Sequence, residues 1–285
     1  MIFFTPFMQC VQWVSGVFHL EPRMQIAVAH GSFNVFNMMI QLPFIAGLAA
    51  LVTKLLPGHD GNINVTTKHL DPTFIDSSPA IALGQAKEEV LRMGEHALRG
   101  LEETFLYMKT GESEHIPTVL QLEVGLNHLD NEITDYLVMV SKQPLSRADS
   151  VRHHTLLTNV RDFERIGDHF ENIIELLQYK DHHEVSLSKS ARQDLIGMFS
   201  LAIEAVRKSI EALDTASLSL AQEVTELESL IDDMEDKLRQ KHIARLNTNE
   251  CSGAAGIVYM DIVSNLERIG DHAVNIADSI LGIRH

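Results

Sequence analysis

Apolar residues are laid out along this chain in two different ways. From Met1 to Leu56 they run almost unbroken, whereas from Pro79 onward they recur at steps of three and four with polar residues between. The second pattern is that of amphipathic helices, whose core face returns every 3.6 residues. Breakers cut it into six, and the spacing predicts helices over about 79–110, 116–142, 147–179, 187–217, 219–247 and 252–282. Gly111 and Pro117 bound the first junction, Gln143-Pro144 the second, and Tyr179 to Val185 separates two halves. Ser78-Pro79 reads as an N-cap followed by proline at the first helical position. No stretch alternates with the period of two that a half-buried strand requires. The fold class is therefore all-α, with two tandem three-helix bundles at 79–180 and 186–285.

The front end, residues 1–56, reads differently. Met24 to Thr53 holds 30 residues without Asp, Glu, Lys or Arg, and a bilayer span needs about 20. Arg23 and Lys54 flank it, and Met1 to Phe18 is also uncharged. With the short connection His19 to Arg23, the pattern predicts an N-terminal transmembrane helical hairpin; a buried core helix is the alternative. The first segment lacks the basic start and small-residue cleavage site of a signal peptide. His30, Asn34 and Asn37 share one face of the second segment, with Gln41 beyond. Polar groups at membrane depth line a pathway or bond to a neighbouring helix, and both remain open. Residues 57–78 read as a linker, broken by Pro57, Gly58, Gly61 and Pro72.

Charge sharpens the division. The whole chain has 23 basic and 39 acidic residues. The first 56 hold only Glu21, Arg23 and Lys54, so the remainder carries 21 basic and 38 acidic residues. Such a surface repels nucleic acid and attracts cations. The two cysteines, Cys10 and Cys251, form no disulfide framework, which fits a reducing compartment and places the helical part in the cytoplasm, at the inner membrane.

The cation preference has a focus. Phe-Glu-Arg-Ile-Gly-Asp-His at 163–169 returns as Leu-Glu-Arg-Ile-Gly-Asp-His at 266–272, and each copy reaches an Asn four residues after its Asp. Glu164-Asp168-Asn172 and Glu267-Asp271-Asn275 thus stack along one helix face each. Carboxylates four apart repel unless a cation or basic side chain lies between them. Oxygen sets of this kind suit hard cations such as Mg, Mn, Ca and ferric iron, with zinc turning more often to Cys and His. A facing helix must complete the set. In the second half Glu228, Asp232 and Asp236 are available; a shift of 101 residues gives Asn127, Asn131 and Asp135 in the first. The second half is the better-charged site, with Asn172, Asn275 and Asp135 as secondary ligands. A structural reading stands beside this one: Arg165 and Arg268 neutralise the acids, and Gly167 and Gly270 permit close helix packing. No phosphate-cradling glycine loop, cysteine pair or placed nucleophile is present, so the chain is not expected to be an enzyme.

The duplicated string, running on to Glu-Asn-Ile and Val-Asn-Ile at 171–173 and 274–276, resembles the signature of the PhoU domain family. The resemblance covers about 80–282. It implies two similar three-helix bundles with multinuclear metal sites (Fe, Mn, Mg or Zn) in which Glu164, Asp168, Glu267 and Asp271 are ligands. Ala29 to Asn34, Leu42-Pro43-Phe44 and the stretch from Leu70-Asp71-Pro72 to Leu83 resemble the junction between membrane domain and PhoU-like tail in bacterial sodium/phosphate cotransporters. That implies the carboxy-terminal part of a sodium-dependent phosphate cotransporter, taking phosphate and sodium through a core that this chain lacks. No Gln-Ser-Ser motif of that family's core occurs, so a fragment or a split subunit is expected. The alternative is a membrane-tethered adaptor that regulates a separate transporter or kinase. Self-association is open.

Overall fold

The computed structural model describes residues 65–248 and 250–282, together with scattered positions between 9 and 44. From residue 65 onward the described chain is helical: α1 Thr73–Ser77, α2 Pro79–Thr110, α3 His115–Val140, α4 Arg147–His182, α5 Lys189–Thr215, α6 Leu218–Asn247 and α7 Gly253–Leu281. Serine oxygens start four of them. Ser146, Ser188, Ser217 and Ser252 each accept from the backbone N–H three residues on, satisfying a donor that has no partner within the helix. Ser78 occupies the N-cap of α2 with Pro79 next, but its side chain makes no capping bond. At the other end of α2 the chain turns at Gly111, with φ 75°, a left-handed conformation that glycine adopts without strain.

Helices α2, α3 and α4 form one bundle and α5, α6 and α7 a second. The bundles pack through α4 against α7 and α2 against α5, so one hydrophobic core runs through both. The buried faces repeat in register: Val90, Met93, Ala97 and Leu101 of α2 correspond to Leu195, Met198, Ala202 and Val206 of α5, an offset of 105 residues. Each buried Leu, Val or Met side chain contributes about 1.5–3 kcal/mol.

The linker reading of 57–78 holds less structure than is found. Residues 57–64 lie outside the described residues, but from Val65 on the chain packs against the first bundle. Val65 seats against Gly125, where a Cβ would stand 2.4 Å from it. Buried Glu89 accepts the backbone N–H groups of Lys68 and His69. Asp71 Oδ1 takes the Thr73 N–H at 2.9 Å and its hydroxyl at 2.7 Å, which starts the short helix α1.

The transmembrane hairpin is corrected. Among the described residues no helix is long and apolar enough to cross a membrane. The long helices from 79 onward each pair a buried stripe with a charged, exposed face, which is the pattern of a bundle. Most of the two apolar segments, including the connection at 19–22, lies outside the described residues. Of the polar face in the second segment, Asn34 Nδ2 donates to His30 Nε2 at 3.2 Å and Gln41 Nε2 to Asn37 Oδ1 at 3.0 Å. These groups satisfy one another within the helix.

Candidate metal centre

The motif helices α4 and α7 lie against α3 and α6 at their own glycines. A Cβ on Gly167 would stand 2.8 Å from Leu126 Cδ1, and one on Gly270 would stand 3.0 Å from Ile231 Cδ1. The glycines cost about 1 kcal/mol each in helix propensity and let the two carboxylate stripes approach the facing helix closely. Leu126 and Ile231 also fix the register of that helix, and they are 105 residues apart.

In the second bundle the approach gathers acids. Oxygen atoms of Glu228, Asp232 and Asp271 all lie within 4.8 Å of one another. Burial and the neighbouring Asp271, Glu235 and Asp232 charges push the Glu267 carboxyl up to about 7. Burial, with Asp232 and Asp271 adding repulsion, also raises Glu228, and burial with Asp232 raises Asp271. Carboxyls resist ionising where like charges crowd them in a half-buried place. That chemistry suits a multivalent cation, which would neutralise the group and let every member ionise. Glu228, Asp232, Glu267 and Asp271 are the residues that would hold it, with Glu235 at the edge, where it pairs with Arg239.

The first bundle repeats the design with other residues than the sequence suggested. Burial and the Asp168 charge raise Glu123, and burial with Asp168 and Asp130 raises Glu164. Glu123 faces Asp168 as Glu228 faces Asp271, and Asp130 faces Glu164 as Glu235 faces Glu267. The facing helices therefore correspond at an offset of 105, one helical turn away from the 101 used above. Asp135 and Asp236 stand on exposed positions, and Asn127 takes the place of Asp232. Arg165 also closes on this bundle's motif, 2.9 Å from Asp168 and 3.6 Å from Glu164. The acids of the first site thus have a directly paired cation, whereas the Arg268 charge eases Glu267 and Asp271 only as a lesser influence than burial and the neighbouring acids.

Asn172 and Asn275 are not ligand-facing. Asn275 Nδ2 donates to Asp162 Oδ1 at 3.2 Å, beside His272 Nδ1 at 3.0 Å. Across the seam His169 Nδ1 donates to Asn265 Oδ1 at 2.9 Å, and Asn172 Nδ2 reaches the same oxygen at 3.5 Å. The imidazole rings of His169 and His272 stack with centroids 5.6 Å apart. A helix turns ~100° per residue, so His and Asn leave the ligand face and knit α4 to α7.

The match to known families follows this geometry. The PhoU domain model matches residues 90–177 and again 195–280. The chain belongs to the PhoU domain family. PhoU likeness extends to whole proteins: it is 27% identical over 168 residues to the phosphate-specific transport system accessory protein PhoU homolog 1 of Thermotoga maritima, covering 58% of this chain and 71% of that one. A PhoU homolog of the same description from Xylella fastidiosa is 25% identical over 203 residues, 70% of this chain and 83% of its own. The crystal structure of PhoU from Pseudomonas aeruginosa has the same fold, with a TM-score of 0.66 over 70% of this chain and 95% of that one at 18% identity. The family match begins at residue 90, so it carries the PhoU part of the resemblance and gives no support to the cotransporter part.

Glu123, Asp130, Glu235 and Asp162 are the PhoU-domain residues that sequence reasoning missed. The signal for the first three was the seven-residue spacing of acids, Glu123 to Asp130 and Glu228 to Glu235. It becomes visible only once Gly125-Leu126 is aligned with Leu230-Ile231.

Proposed function

We propose that this chain is a non-enzymatic regulator of phosphate transport, whose two carboxylate centres take multivalent metal ions and through them engage phosphate or a phosphate transporter. The observation that carries it is the gathering of Glu228, Asp232 and Asp271 oxygens within 4.8 Å beside a Glu267 pushed up to about 7. Bare acids repel an anion. A bound multivalent ion would reverse the local charge and give phosphate oxygens a place to coordinate. All donors are oxygens, which favours Fe, Mn or Mg over zinc. The names of the relatives from Thermotoga maritima and Xylella fastidiosa support the transport setting, and the half-buried free thiol of Cys251 supports a cytoplasmic one. The finer reading makes this chain the carboxy-terminal part of a sodium/phosphate cotransporter and rests only on the resemblance of Ala29 to Asn34, Leu42-Pro43-Phe44 and Leu70 to Leu83; co-purification of the chain with the core of such a transporter tests it.

The test of the main reading is metal analysis of the purified chain with and without Glu267→Ala and Asp271→Ala. Motif-dependent metal, and phosphate binding that needs it, is the expected result. A chain that holds no metal under iron, manganese or magnesium supply overturns the proposal.

A further inference from the structure

Arg92, His96 and Arg99 stand at steps of four and three along α2 and so share one face. The entering segment crosses the near end of that face. Arg92 donates from Nε and Nη2 to Glu89 Oε2, at 3.0 and 2.7 Å, and from Nη2 to the Thr66 carbonyl at 2.5 Å. Two polar atoms remain unsatisfied: Arg92 Nη1 and His96 Nε2 are both buried without a hydrogen-bond partner. Native proteins rarely leave such groups without a partner. Their surroundings are basic. Burial, followed by the charges of Arg92, Arg99 and Lys68, pushes the His96 imidazole down to about 4, and Glu89 is the carboxylate that acts against them. The charges that act most on His96 are thus mostly positive, in a chain of net charge -16.

The duplication shows that the fold does not require it. At the offset of 105 established by the buried faces of α2 and α5, the second bundle has Gly197, Leu201 and Glu204 in these three places. The basic face belongs to the first bundle alone.

We infer that Arg92, His96 and Arg99 of α2, with Lys68 of the entering segment, form a binding site for a tetrahedral oxyanion of the phosphate class. The free guanidinium Nη1–H and an imidazole in its Nε2–H tautomer are both donors, and a phosphate oxygen accepts from each. Arg99 and Lys68 supply the remaining charge. This site needs no metal, which separates it from the carboxylate centres.

The experiment is a calorimetric titration of the full chain in EDTA with inorganic phosphate and, separately, with phenyl phosphate, alongside NMR of the histidine ring nitrogens. His96→Leu installs the residue that the second bundle carries, and Arg99→Ala removes an exposed cation. Both leave the Glu89–Arg92 pair intact, and circular dichroism checks that each variant is folded. Inorganic phosphate is expected to bind and to shift the His96 ring signals, with a loss of about tenfold in His96→Leu and several-fold in Arg99→Ala. Glu267→Gln should leave this binding unchanged. Tighter binding of phenyl phosphate identifies an attached monoester as the ligand, and weaker binding identifies the free ion. Absence of heat and of ring shifts at millimolar phosphate overturns the inference, as does undiminished binding in the two folded variants. Metal content is untouched by either outcome, so failure here is distinguishable from failure of the metal reading.

Discussion

His272 Nδ1 donates to the Asp162 carboxylate at 3.0 Å, while its counterpart His169 donates to the Asn265 amide oxygen at 2.9 Å. The two contacts are copies, since both partners are displaced by the same 103 residues. One copy offers a charge and the other does not. The seam between the bundles is therefore symmetric in shape and asymmetric in electrostatics.

Asp162 is buried and accepts from both His272 and Asn275. Replacing it with alanine strands these donors, and Asp162→Ala is expected to cost about 2–4 kcal/mol in urea unfolding. Asp162→Asn reproduces the arrangement of the other copy and should cost about 1 kcal/mol or less. Equal losses in the two variants would show that the hydrogen bonds do not hold the seam.

The metal-free protein should lose stability as pH rises. Glu267 goes from its ordinary 4.5 to about 7 on folding, so between these values the folded chain holds more protons than the unfolded one. Stability then falls with increasing pH across that window and is fully present below it. Thermal melts in EDTA at pH 5 and pH 7.5 measure the slope, and Glu267→Gln should flatten it. Added metal should reverse its sign.

Asn127 holds the place of Asp232 in the first bundle, and Arg165 adds a cation there. Asn127→Asp combined with Arg165→Gln is expected to tighten metal binding at that site by about tenfold or more, since a ligand charge is gained and a competing one lost. Competition against a chelating dye would read the change. An unaltered affinity would mean that the first cluster does not act as a cation site.

Two glycine variants should move stability in opposite directions. Nothing lies within 4 Å of a Cβ on Gly84, so Gly84→Ala should stabilise α2 by about 0.5–1 kcal/mol. A Cβ on Gly125 meets three Val65 atoms at 2.4–2.6 Å. Gly125→Ala should cost about 1–3 kcal/mol through overpacking and loosen the segment at 65–69. Melting temperatures and amide exchange at Lys68 and His69 report the two effects.

The helices were legible because apolar periodicity and chain breakers are local. Helix α2 spans Pro79–Thr110 as the spacing predicts, whereas the cap read at Ser78 makes no side-chain bond and the serines that do cap, at 146, 188, 217 and 252, were not read from the sequence. The packed segment at 65–71 was not legible, because Val65 is held by Gly125 and the Lys68 and His69 amides by Glu89, contacts far apart in sequence.

The sequence by itself determined the duplication, the six long helices and the acids of the motif face, since each depends on residues within a few turns of one another. The tertiary structure decided what those acids meet. A facing helix can slide by one turn and still bury an equivalent apolar stripe, so only the packing of Leu126 on Gly167 and Ile231 on Gly270 sets the register. That choice brings Glu123 and Asp130 to the first site and Glu235 to the second. It also turns Asn172 and Asn275 away into the seam.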